Sequence, residues 1–122
     1  MLLARLLAPS GEKVSSLGRA VTAEVLNATG QKGVASQATK VLRLNGVDVV
    51  FTGNESARSQ TAVYDRSGRF EAAEKVAALL GCPESAAQTQ INLKKLVDVT
   101  VVLSGDCEIS GERRKAWNWL KY

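Results

Sequence analysis

The sequence predicts an α+β domain in which a single sheet carries two helices on one face. Three observations support this: four segments are patterned as strands, two carry the apolar stripe of a helix, and the first half of the chain echoes in the second. Residues 21–25 alternate small or apolar side chains with polar ones, the period-two signature of a half-buried strand. Over residues 34–45, Val34, Ala35, Ala38, Val41, Leu42 and Leu44 form a helical stripe that Gly46 closes. Residues 47–51 form a β-branched run between Gly46 and Gly53, the second strand. Residues 61–64 are the third. A second helix spans 70–80, with Ala73, Val76, Ala77 and Leu80 on one stripe and Gly81 and Pro83 ending it. Residues 96–103 are the fourth strand and the most strongly patterned. Residues 53–59 and 82–92 read as polar loops.

The resulting order, βαββαβ, is that of the ferredoxin-like sandwich, with a four-stranded sheet and two helices on one face. The internal echo supports it: Val25 to Gly30 lies over Val63 to Gly68, and Ala35 over Ala73. Each half then reads as strand, Asx-x-hydroxyl-Gly turn, helix. The domain is expected over residues 20–107. Residues 1–19 form an N-terminal extension or linker, and residues 108–122 a basic, aromatic C-terminal extension.

The 122 residues, 45% of them hydrophobic, are one domain's length and supply a core. No apolar run approaches the roughly 20 residues needed to span a bilayer. The opening eight residues are apolar but short, carry Arg5, and lack a small-residue cleavage site, so they read as an amphipathic lead-in or the stump of a longer chain. Net charge is +4 and unevenly spread: residues 1–46 hold six Lys/Arg against two Glu, 47–110 six against nine acids, and 111–122 four against one. Two readings stand, a surface that meets a polyanion and an ordinary solvated surface.

The chain has no histidine, which removes the commonest general base and metal ligand. Cys82 is expected just before the last strand and Cys107 just after it. A strand of about seven residues would hold them roughly 20 Å apart, against the roughly 4.4–6.8 Å between Cα atoms that a disulfide needs. They are therefore expected to be unpaired, and too far apart for a zinc site. Asp98 and Asp106 are separated along the same strand and do not make a carboxylate pair. The chain is read as a non-enzyme that needs no cofactor and no metal.

Three features remain as candidate binding elements. The sheet face away from the helices would carry Leu26, Val50, Tyr64 and Val102, a partly apolar patch that either meets a partner or is covered by a terminal extension. Val21, Val49, Phe51, Val63 and Val99 would face the helices. The C-terminal extension combines Arg113 and Arg114 with Trp117 and Trp119, suited to sugars, phosphates or a membrane interface, or simply pinned to the core. The loop with Asn27, Thr29, Gly30 and Gly33 precedes a helix N-terminus, where backbone N–H groups attract anions and Lys32 adds charge. The bland reading of that loop is local turn chemistry, and its echo at Asp65 to Gly68 favours it.

The ordered set formed by residues 21–35, Gly46 to Val50, Thr61 to Tyr64, the helix at 72–81 and Val97 to Asp106 resembles the C-terminal domain of LytR-CpsA-Psr proteins. Ala28 stands where that family often has Gly, and Ser104 interrupts a Leu-Gly-Asp ending that is often contiguous. The resemblance implies a bacterial, extracytoplasmic accessory domain of the cell envelope that contacts a cell-wall polymer, peptidoglycan or a protein partner. Dimerisation or scaffolding is the alternative, and nucleic acid is not expected as a ligand. Membrane association is expected only through an anchor outside this chain.

Overall fold

The computed structural model describes residues 20–109. In order come β1 (Thr22–Asn27), α1 (Val34–Leu44), β2 (Asp48–Asn54), β3 (Ala62–Asp65), α2 (Phe70–Leu79), β4 (Ala87–Thr89) and β5 (Val99–Leu103), with short 3-10 turns at Glu84–Ala86 and Leu93–Lys95. The α+β class and the two helices are as the sequence predicts. The sheet is wider by one strand, because three residues of the expected polar loop, Ala87 to Thr89, pair with β3.

The strands lie in the order β2-β1-β5-β3-β4. β1 runs parallel to both β2 and β5, while β3 runs parallel to β4 and antiparallel to β5. In a ferredoxin-like sheet the third strand would insert between the first two. Here β1-α1-β2 and β3-α2-β4 are each an unsplit parallel crossover, and β5 joins them down the middle. The internal echo is therefore a repeat of βαβ units running in opposite directions. Its turns repeat as well: Asn27 Oδ1 accepts the N–H of Thr29, and Asp65 Oδ1 accepts those of Ser67, Gly68 and Arg69. The glycines that end the echo, Gly30 and Gly68, both take the positive φ that their turns require.

Both helices pack on the same face. Leu42 and Ala38 from α1 and Ala73, Val76 and Ala77 from α2 share one core with Val25, Val49, Val63, Val99, Val101 and Leu103 from the sheet. Every residue of β5 is buried, as its central position demands. Expected strand limits shift modestly: β1 runs on to Asn27, β2 runs on to Asn54, and β5 begins at Val99, after a turn at Leu96.

Two expectations are overturned. Phe51, assigned to the helix face, lies on the opposite one and is 56% exposed. The cause is a register shift in the β1–β2 ladder: Ala23 faces Val49 but Glu24 faces Phe51, leaving Val50 as the extra residue of a bulge. One inserted residue reverses every later side chain of the strand. The second correction concerns the cysteines. Cys82 and Cys107 are disulfide-bonded, with Cα atoms 4.1 Å apart. The expectation placed Cys82 beside the start of β5, but α2 ends near the start of β3, the same end of the sheet at which antiparallel β5 finishes. β4 then carries the chain back along the sheet to where β5 begins. Cys82 thus meets the segment after β5, and Glu108 N–H donates to the Gly81 carbonyl at 3.0 Å beside the bridge.

Candidate binding site

The sheet face away from the helices carries Glu24 and Thr100 among its apolar side chains, as its alternation implies. Its centre is a polar row: Thr100 Oγ1 donates to Glu24 Oε1 at 2.9 Å, Arg66 Nε donates to Thr100 Oγ1 at 3.0 Å, and Arg66 Nη1 donates to Gln90 Oε1 at 2.7 Å. Lys95 Nζ closes the row at 3.1 Å from Glu24 Oε1. Glu24, Arg66 and Thr100 are all buried, so this network fixes the middle of the face. Val102 is buried, Leu26 and Tyr64 are half-buried, and Val50 is exposed on the bulge. Tyr64 is clamped, with Arg66 4.8 Å above its ring and Arg58 Nη2 donating to its hydroxyl at 3.3 Å. Leu26, Val50, Tyr64 and Val102 therefore do not form one open surface.

The helix N-terminal loop fares differently. Asn27 and Thr29 spend their polar atoms locally: Asn27 Nδ2 donates to the Gln31 carbonyl at 2.7 Å, Thr29 Oγ1 donates to Asn27 Oδ1 at 2.6 Å, and the Gln31 N–H donates to Thr29 Oγ1 at 2.9 Å. These bonds are the turn chemistry the echo pointed to. Gly33, in the left-handed region at φ 85, begins α1 with no side-chain cap, so the first N–H groups of the helix are left facing outward. Beside them opens a cleft of about 580 Å³ between α1 and the exposed edge of β2. Lys32, Ser36 and Arg43 line it from the helix side, and Thr52, Gly53 and Asn54 from the strand. None of its lining residues is acidic. Arg43 is held there by Nη2 donating to the Val49 carbonyl at 2.8 Å.

Thr39 also lines this cleft, and its buried hydroxyl has no hydrogen-bond partner among the described residues. A shielded, unpaired hydroxyl is destabilising, so Thr39→Val is expected to raise the unfolding free energy by about 1 kcal/mol. Urea denaturation of the variant checks this, and an unchanged or lower midpoint contradicts it.

With this geometry in view, comparison with known proteins gives one decisive match. The family model described as LytR cell envelope-related transcriptional attenuator, LytR_C, matches residues 20–106, most of the chain. The chain belongs to this family. No curated protein matches it. Among solved structures, the solution structure of the C-terminal domain of RV0431 is 23% identical, with 86% of this chain and 88% of that chain covered and a TM-score of 0.46.

Within this LytR C-terminal domain, the structure brings Asn27 and Gly33 to one wall of the cleft. Arg43 and Thr39, which sequence reasoning did not single out, stand farther along the same helix. Their signal was present in the sequence: Ser36, Thr39 and Arg43 fall three and four residues apart, one polar stripe on α1. Arg113, Arg114, Trp117 and Trp119 lie outside the described residues. Asp98 and Asp106 stand at opposite ends of β5, as expected, and each is engaged in hydrogen bonds: Asp106 accepts from Thr61 N–H and Oγ1. Among the described residues no group of acidic or cysteine side chains is placed to hold a metal ion, and no helix is long and apolar enough to cross a membrane.

Proposed function

We propose that this domain is a non-catalytic, extracytoplasmic binding module of the bacterial cell envelope, and that the cleft beside α1 takes an anionic group of a cell-wall polymer. The observation that carries the reading is the composition of the cleft: two cations, five neutral polar side chains and an uncapped helix N-terminus, without one acidic residue. Each helix N-terminus favours an adjacent anion by about 0.3–1 kcal/mol at an exposed site. Lys32 and Arg43 add charge attraction, and Arg43 has its fork presented by a fixed carbonyl contact. Phosphodiester or carboxylate groups on a repeating polymer suit such an open cleft, since many weak contacts along one chain sum by avidity.

The disulfide supports the compartment. Such bonds persist in oxidising surroundings outside the cytoplasm and are rare within it. The family's envelope relation points the same way. A nucleic-acid reading is less well served, because no aromatic side chain lines the cleft itself for base stacking.

The test is co-sedimentation of the domain with peptidoglycan sacculi that keep or have lost their anionic polymers. Binding is expected with polymers attached, to fall with added salt, and to weaken about tenfold in Lys32→Glu/Ser36→Glu, which reverses one charge and adds another at the helix N-terminus. Binding that survives stripping, or that ignores the double substitution, overturns the cleft as the polymer site.

A further inference from the structure

At the other end of the sheet, three aliphatic side chains project from the segment that leads from β4 into β5. Ile91, Leu93 and Leu96 are 49%, 69% and 86% exposed. Lys94 and Lys95 lie between Leu93 and Leu96. The framework beneath them is well tied. Asn92 N–H donates to the Arg66 carbonyl at 2.9 Å, Asn92 Oδ1 accepts the Lys94 N–H at 3.1 Å, and Lys95 Nζ is anchored 3.1 Å from Glu24 Oε1. The loop is thus tied to the sheet through the Asn92 backbone and the Lys95 side chain, while its apolar tips face water.

Leu96 adds an independent sign. It sits at φ 59, ψ 26, and is the one non-glycine residue with positive φ among the described residues. That left-handed conformation crowds the Cβ of a leucine, and Gly or Asn is its usual occupant. Among the described residues, the most exposed large apolar side chain is thus carried by the one non-glycine backbone in the left-handed region. Neither cost contributes to packing, and strained positions of this kind gather at functional sites.

We propose that this turn docks the domain onto an anionic lipid surface, with Ile91, Leu93 and Leu96 entering the interfacial layer and Lys94 meeting the headgroups. The chemistry fits lipid better than a protein partner. The tips are aliphatic, convex and interleaved with lysine, whereas a protein hot spot gathers aromatic and arginine side chains in a packed patch. A fluid surface needs no complementary pocket to receive a protruding turn. The topology gives the docked domain an orientation: the turn lies at the start of β5, while the cleft opens at the ends of parallel β1 and β2, so docking would leave the cleft pointing away from the lipid. This inference does not rest on the polymer reading, and it departs from the sequence-based expectation that membrane contact comes only through an anchor outside the chain.

Flotation of the full chain with phosphatidylcholine vesicles, prepared with and without phosphatidylglycerol, tests it. Binding is expected only with phosphatidylglycerol, and is expected to fall with salt and with Lys94→Glu. Leu93→Ser/Leu96→Gly is expected to weaken binding at least about tenfold, although it should fold at least as well as the natural sequence, because glycine relieves the left-handed position. The same variant should still sediment with polymer-bearing sacculi, which separates this proposal from the cleft. Absence of binding to phosphatidylglycerol vesicles, or undiminished binding by the folded double variant, overturns it.

Discussion

Replacing both Cys82 and Cys107 by serine is expected to lower the free energy of unfolding by about 3 kcal/mol, close to what the chain-entropy argument gives for a loop of this size. The two residues are separated by 25 positions, and the closed loop contains β4 and all of β5. Without the bridge, the unfolded chain regains the freedom to separate the end of α2 from the end of β5. The segment after β5 would then rely on few contacts. Asp106 accepts from Thr61 N–H at 3.1 Å and from Thr61 Oγ1 at 2.6 Å, Ser104 Oγ donates to the Arg58 carbonyl, and Glu108 N–H reaches the Gly81 carbonyl. That last approach depends on Gly81, which takes φ +68 and where a Cβ would come within 2.5 Å of the Glu108 carbonyl oxygen. Urea denaturation should give coincident curves for the serine double variant and the reduced natural protein, both displaced to lower urea from the oxidised protein. Equal midpoints with and without reductant would contradict the expectation.

How much of this was legible in the sequence depends on what each signal encodes. The helices could be read because Val34 to Leu44 and Phe70 to Leu80 write their stripes at 3.6-residue spacing, and β5 because Val99, Val101 and Leu103 alternate within a β-branched run. The echo between Asn27 and Asp65 was visible too, and the structure turns it into two like turns at the heads of two like crossovers. The bulge at Val50 was not visible, since a period-two pattern carries no mark of an inserted residue, and so Phe51 was placed on the wrong face. Ala87, Gln88 and Thr89 were too few and too polar to read as a strand. Missing that strand removed the path by which Cys82 and Cys107 meet. The cleft was half legible: Lys32 and Gly33 announce a helix N-terminus, but the wall formed by Thr52, Gly53 and Asn54 exists because β2 pairs directly with β1. A ferredoxin-like strand order would have put β3 between them.

Asp98→Ala is expected to cost about 3–4 kcal/mol, because it removes one partner from a buried charged cluster. Asp98 lies just ahead of β5 and is 3% exposed. One carboxylate oxygen accepts the Thr22 N–H at 3.0 Å and the Thr22 hydroxyl at 3.2 Å, while the other accepts Ser67 Oγ at 3.0 Å. Arg69 Nη1 stands 3.5 Å away, and Arg69 Nε and Nη1 have no hydrogen bond among the described residues. This one side chain therefore ties the start of β1, the turn between β3 and α2, and the entry to β5. Alanine would leave the Thr22 N–H and the Arg69 guanidinium without it, and an unpaired buried donor costs about 1–3 kcal/mol alone. Asp98→Asn keeps an acceptor oxygen of similar shape but not the charge, so its loss should be smaller, about 1–2 kcal/mol. Adding Arg69→Met to Asp98→Ala should restore part of the stability, since the uncompensated cation is then gone. With Arg69→Met alone, the natural protein, Asp98→Ala and the double variant form a cycle, and strictly additive losses would show that Asp98 and Arg69 do not act as a pair.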